Sequence, residues 1–315
     1  MLVGRGGAAA RPPRRVARAD HFPPAPATRS PATRAGIELG RRLFFDPRLS
    51  ANDRISCATC HEPARAFSDG VARSARGISG ATLARNAPGL ANLAWVERLF
   101  WDGGAKNLES MVLGPIQHPD EMGETVARMI EQLAADPVMR EAFARAFPGE
   151  GVTPSGVMRA LAQYLRSLVS ADSRYDRHVR GEAGGELADA ELRGLAVVRA
   201  KCARCHATEL FTDRAFHDIG LDPPSALPDE DPRRGRARVT FRAADERAFR
   251  TPSLRNLSYT APYMHDGRFA TLAEVLAHYR RGGVAGVALT DDEADDVIAF
   301  LRALDDPDFV ARHAR

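Results

Sequence analysis

All four cysteines of the 315-residue chain fall in two short segments, Cys57-Ala58-Thr59-Cys60-His61 and Cys202-Ala203-Arg204-Cys205-His206. Each reads C-x-x-C-H, the attachment signature of a c-type haem. Two thiols three residues apart add across the two vinyl groups of one porphyrin, and the adjacent imidazole then lies under the iron as its proximal ligand. The competing chemistries are a redox dithiol and a zinc site built from both C-x-x-C pairs, which would leave the paired histidines without a role. Two copies that use every cysteine predict two covalently bound c-type haems and no disulfide.

The elements that must position these motifs are helical. Apolar residues from Gly36 (Ile37, Gly40, Leu43, Phe44) recur at helical spacing before Asp46-Pro47, ahead of the first motif. Short helices are expected near 105–113 and over 124–135. Thr153-Pro154 starts another, with Val157, Leu161, Leu165 and Leu168 on one face. A helix over 187–201 runs into Cys202. Thr271 with Glu274, and Thr290 with Glu293, read as capping boxes that open the last two helices. Strand patterns are nearly absent, so the fold class is mainly α. A Gly-rich break at 181–185 divides an N-terminal domain, 35–181, from a C-terminal one, 182–315. Residues 1–34, rich in Arg, Pro and Ala, read as a disordered, loosely wrapped or processed arm.

That arm carries seven Arg against one Asp, which leaves 37 basic and 40 acidic side chains for the rest. The basic balance belongs to the arm, which excludes a nucleic-acid-binding body. No apolar run is long enough to span a membrane. Haem is attached to such motifs outside the bacterial cytoplasm, which predicts a periplasmic protein, although no signal peptide is visible at the N-terminus.

The order of motifs from Gly36 to Leu304 resembles the bacterial dihaem cytochrome c peroxidase family, including its MauG-type branch. The carriers are the two C-x-x-C-H sites, Arg85-Asn86-Ala87-Pro88, Phe100-Trp101-Asp102-Gly103, Gly114-Pro115 through Glu121-Met122-Gly123, Thr251 to Asn256, and Ala261 to Gly267. The resemblance implies two cytochrome c-like haem domains packed against each other. His61 then serves a peroxidatic haem and His206 an electron-transfer haem. Glu121 matches the distal acid/base and Trp101 the tryptophan between the haems. A Ca2+ site maps to the Asn86 side chain and the carbonyls of Thr260 and Pro262. Implied partners are hydrogen peroxide and either a small redox protein (a cytochrome c or a cupredoxin) or a protein whose Trp or Tyr is oxidised. Members are often homodimers.

Departures from the family pattern bear on subtype. Members that need reductive activation carry a distal His where this chain has Ile78, and no His lies between His61 and His118. An isoleucine cannot ligate iron, so an open, five-coordinate N-terminal haem is expected, able to form a high-valent state with peroxide. The distal Met of the peroxidases falls at Tyr279, which matches the tyrosine ligand of MauG-type enzymes and lies on the apolar face of its helix. Met264 and His278 are its rivals. Met111 replaces a Gln that positions peroxide, Pro115 would line the distal pocket, and His118 reads as a solvated loop residue. The alternative function is a non-catalytic dihaem electron-transfer cytochrome. A haem sensor finds no signalling domain to support it.

Overall fold

The computed structural model of the chain describes residues 19–28, 30–222, 227–283 and 287–314. Residues 1–18 of the expected arm lie outside the described residues. The first half contains α1 (Arg34–Phe44), α2 (Cys57–Cys60), α3 (Leu108–Met111), α4 (Leu113–Gln117), α5 (Val126–Ala135), α6 (Pro137–Ala146) and α7 (Pro154–Ser167). The second contains α8 (Arg174–Val179), α9 (Asp189–Val197), α10 (Ala237–Thr240), α11 (Leu272–His278), α12 (Asp291–Ala303) and α13 (Pro307–His313). The two-residue strands β1 (Phe216–His217) and β2 (Phe249–Arg250) pair antiparallel, with Phe216 opposite Arg250.

The caps follow the chemistry of the residues that make them. Thr153, Thr271 and Thr290 each accept the backbone N–H of the third residue of their helices, and Glu274 and Glu293 complete the latter two boxes. Two helices not expected from periodicity, α6 and α13, share one start signal. Asp136 and Asp306 accept backbone hydrogen bonds from Val138 and Phe309, and a proline follows each.

Each half rests on one helix crossing, α1 on α7 and α9 on α12, the two most extensive helix pairs. Both crossings depend on a glycine. A methyl group on Gly40 would lie 1.9 Å from the Ala160 carbonyl oxygen, and one on Gly194 would lie 2.0 Å from that of Asp296. Backbones approach that closely only where one partner has no Cβ. In each half, the helix so held leads toward the haem motif.

The apolar residues gather into two main cores. The first includes Leu39, Leu43, Phe44, Phe143 and Leu161, joined by Phe309 and Val310 from α13 at the end of the chain. The second includes Leu195, Val198, Phe211, Val297 and Phe300. Tyr175, on the N-terminal side of the expected division, packs in this second core.

At the described end of the arm, residues 21–23 are fastened down. Phe22 is buried edge-on against Trp95, whose indole N–H donates to the Pro23 carbonyl at 2.7 Å. His21 Nε2 lies 2.7 Å from Asp176, which also takes two hydrogen bonds from Arg255, at 2.7 and 2.9 Å. Burial alone would push the Asp176 carboxyl up. The His21 hydrogen bond and the Arg255 charge outweigh it and hold the carboxyl well below its ordinary range.

Replacing Gly40 by Ala tests the first crossing. Helix propensity alone would favour alanine by about 1 kcal/mol. Overpacking against the Ala160 carbonyl instead costs about 1–3 kcal/mol, so thermal unfolding of Gly40→Ala is expected at a lower temperature than wild type. An unchanged or raised midpoint would mean that α1 and α7 do not cross this closely.

Candidate functional site

The two motif histidines are held in the same way. His61 Nδ1 lies 2.8 Å from the Phe67 carbonyl oxygen, and His206 Nδ1 lies 2.9 Å from that of Phe211. A carbonyl only accepts, so each Nδ1 carries the proton and each Nε2 keeps its lone pair. Phe67 and Phe211 have left-handed backbones, with φ of 65° and 52°, at the turns that bring these carbonyls to the rings. Burial lowers the pKa of both imidazoles and favours the neutral form a metal requires.

The thiols do not suit the competing chemistries. Burial pushes Cys57 up to about 12 and Cys202 up to about 11, and raises Cys60 and Cys205 as well. Reactive dithiols need the opposite shift. Among the described residues the two pairs do not converge on one metal centre. One cluster of three potential ligand groups forms, Cys205 with Asp213 and His217.

Cys202, Cys205 and His206 instead open onto an apolar cavity of about 560 Å³, walled by Leu254, Val275, Leu301 and other side chains of the second half together with first-half residues such as Leu93 and Trp95. Its size suits a flat macrocycle. Arg250 also lines this space, and burial lowers its pKa to about 10. It donates to the Phe100 and Thr251 carbonyls, and among the described residues no carboxylate pairs with it. A buried cation of this kind fits the propionates of a haem. Arg250 escapes sequence reasoning because nothing in its local pattern tells it from a surface arginine.

Beyond the motifs, the halves repeat at one constant offset. Asn92 and Asn256 both adopt φ of 62°, and each begins a short 3-10 turn. Bridges Leu99 to Ala105 and Tyr263 to Phe269 correspond, as do Phe100 and Met264, both with positive φ. Asn107 and Thr271 cap α3 and α11 through the third residue of each helix. The same offset aligns Asn86 with Arg250, Trp101 with His265, and Pro115 with Tyr279.

Tyr279 lines the same cavity as His206, and burial pushes its phenol up to about 12. Such a phenol ionises only beside a cation. Met264 lines the same cavity. His278 is engaged elsewhere, its Nε2 2.8 Å from the Ile219 carbonyl oxygen. The chain enters the second motif and leaves α11 through two π-helical turns, Val198–Cys202 and Tyr279–Gly283, a feature frequent at functional sites.

In the first half, Ile78 and Glu121 are neighbours, the Ile78 N–H donating to the Glu121 carbonyl at 2.8 Å. A methyl on Gly77 would lie 1.8 Å from the Asp120 carbonyl oxygen, so the two loops meet at their backbones. The Glu121 turn is closed by hydrogen bonds from the Glu121 and Gly123 N–H groups to the His118 carbonyl, and from Met122 to that of Pro115. Burial raises the Glu121 carboxyl above its ordinary range, nearby His118 opposes this, and Asp120 adds to it. The carboxylate lies within electrostatic reach of both Cys57 and Cys60. Ile78 and Met111 pack on the same core as Cys57. His118 is exposed and accepts from the Asp120 N–H.

Trp101 lies between the halves. Its indole N–H donates to the Asn86 carbonyl at 2.9 Å, and Trp101 lines the cavity at His206. Asn86 is buried, with Nδ2 committed to the Val71 and Ala72 carbonyls at 2.9 and 3.3 Å, which turns Oδ1 away from them. Thr260 and Pro262 border the same space.

Fold and site together define a mainly helical protein of two equivalent cytochrome c-like halves that share walls. The chain belongs to the di-haem cytochrome c peroxidase family, whose model matches residues 34–184. It is 40% identical over 289 residues to methylamine utilization protein MauG of Methylorubrum extorquens, covering 87% of this chain and 79% of that one. It is 34% identical over 275 residues to the cytochrome c551 peroxidase of Nitrosomonas europaea, covering 86% and 81%. A crystal structure of a MauG-like protein associated with microbial copper homeostasis superposes with a TM-score of 0.83 at 34% identity, covering 92% of this chain and 95% of that one. The protein is therefore a dihaem oxidoreductase of the peroxidase and MauG type. No described helix is long and apolar enough to cross a membrane.

Proposed function

We propose that two haems are attached covalently, one through Cys57, Cys60 and His61 and one through Cys202, Cys205 and His206, and that hydrogen peroxide reacts at the first. The observation that carries this reading is the pairing of Ile78 with Glu121. A side chain with no donor atom stands in the loop that meets a carboxyl whose pKa is raised by burial. Pro115, the counterpart of Tyr279, also has no side-chain donor. The first haem, when bound, supplies an iron that binds peroxide and gives up electrons.

The remaining work falls to the chain. Glu121 takes the proton from the inner peroxide oxygen and returns it to the outer one, so that water leaves. Met111, unable to donate a hydrogen bond, leaves this positioning to Glu121. Trp101 connects the pockets for electron transfer, and Tyr279 serves as an anionic oxygen ligand in the second, favouring oxidised over reduced iron. Ca2+ is held by Asn86 Oδ1 and the carbonyls of Thr260 and Pro262, hard oxygen donors suited to that ion. Electrons come from a small cytochrome or cupredoxin, or from a Trp or Tyr of a partner protein. Ile78 and Tyr279 favour the second source, as does the likeness to MauG. Covalent haem attachment, which takes place outside the bacterial cytoplasm, supports a periplasmic protein, and a homodimer is in keeping with the family.

The ferric holoprotein should bind cyanide at the first haem only. Its paramagnetic resonance should show one high-spin signal and one low-spin signal without Met or bis-His character, the latter altered in Tyr279→Phe. Two low-spin signals and no cyanide binding would leave only an electron-transfer cytochrome.

Glu121 acts as base in its ionised form. With its pKa raised, the second-order rate of the haem spectral change with peroxide should climb with pH through a midpoint above the ordinary carboxylate range. Glu121→Gln should lower that rate by about 10²–10⁴-fold and abolish the pH step. A variant with wild-type rate and profile would remove Glu121 from the chemistry.

A further inference from the structure

The second core contains a phenol that none of the roles above uses. Tyr175, on α8, is fully buried, and its hydroxyl donates to Glu209 Oε2 at 2.6 Å. Arg199 reaches the same hydroxyl. Its ring meets Phe211 edge to face, with centroids 5.3 Å apart, and packs likewise on Phe300 at 5.4 Å. Phe211 is the residue whose carbonyl accepts the hydrogen bond from His206 Nδ1. One residue, Phe211, therefore stands between the phenol and the His206 imidazole. Glu209 is only partly buried, so a proton delivered to it can pass on to solvent.

A buried phenol gives up an electron readily only when its proton has somewhere to go. Burial, followed by the Glu209 hydrogen bond, pushes the Tyr175 hydroxyl above its ordinary range, so it stays protonated while reduced. The carboxylate is the acceptor that oxidation needs. A purely structural tyrosine would be served equally by a backbone carbonyl or by water.

We infer that Tyr175 and Glu209 form an internal electron donor to the second haem, used when peroxide arrives and no external reductant is present. This rests on the peroxide chemistry proposed above. Reduction of one hydrogen peroxide to two waters consumes two protons and withdraws two electrons from the haem pair. Tyr175 replaces one of these. Its electron passes through the Phe211 contact to the haem on His206, and its phenolic proton moves to Glu209. A neutral phenoxyl radical and a protonated carboxyl remain, and the haem pair keeps one oxidising equivalent. The benefit falls to Met264, an oxidisable thioether that lines the same cavity.

The test uses the ferric holoprotein with both haems, mixed with peroxide without reductant and freeze-quenched for paramagnetic resonance. An organic radical is expected whose hyperfine pattern narrows when the five tyrosines carry ring deuterium. It should vanish in Tyr175→Phe, which keeps the ring and its packing. It should form in lower yield in Glu209→Gln and persist in Tyr164→Phe. After peroxide, peptide mass spectrometry of Tyr175→Phe should show more Met264 sulfoxide than wild type. The proposal falls if the haem bands of wild type respond to peroxide but no tyrosine radical forms, or if the radical survives Tyr175→Phe. If the wild-type haem bands do not respond at all, the peroxide reading falls with it.

Discussion

An imidazole offers a metal one nitrogen only while its other nitrogen is accounted for, and the architecture of this protein is arranged around that condition twice. Both motif histidines are half-buried, and both direct Nδ1 to a backbone carbonyl of a phenylalanine with a left-handed backbone. The hydrogen bond selects the tautomer, the burial keeps the ring neutral, and the turn fixes the direction in which Nε2 points. The helix crossings at Gly40 and Gly194 belong to the same arrangement. They position the helices that approach each motif, and each crossing tolerates no side chain at the point of contact.

Once the halves are aligned, their differences matter more than their likeness. The same backbone position carries Pro115 in one half and Tyr279 in the other. One has no side-chain donor, and the other has a buried phenol in a cavity shared with His206. A second position carries Asn86, whose amide is tied to two loop carbonyls, and Arg250, a guanidinium with no carboxylate partner among the described residues. On the proposed function, reactivity and electron storage would separate through substitutions on a common scaffold, without a change of fold.

Much of this was legible in the sequence, for reasons that differ residue by residue. The haem motifs, the capping boxes at Thr271 and Thr290, and the placement of Tyr279 depend on local spacing, which a single sequence carries. Ile78 and Glu121 were separately visible, but their contact depends on two loops meeting at Gly77 and Asp120. The carbonyls of Phe67 and Phe211 could not be found, because any residue supplies a carbonyl and only the fold chooses which one. The clamp on residues 21–23 was missed for a similar reason. His21 and Phe22 sit in a stretch whose composition reads as disorder, and their partners Asp176, Arg255 and Trp95 are distant in sequence.

The halves are also exchanged at their edges, which bears on how they can act together. Phe309 and Val310 return from the end of the chain to the first core. Trp95 and Trp101 of the first half wall the cavity of the second, and Tyr259 of the second packs on the first core. The backbone N–H of Asn86 donates to the His265 carbonyl, and that of Arg250 to the Trp101 carbonyl. A pair of centres that shares the electrons lost to one oxidant needs a fixed separation, because a hinge between them would make every transfer depend on a conformational search. Independent domains on a linker would leave the interface mostly polar and free to rock. Here each half supplies part of the other's interior, so movement of one pocket relative to the other would expose apolar surface from both. The shared walls therefore do for the pair what the Phe67 and Phe211 carbonyls do for each histidine, limiting the reactive geometry to one arrangement.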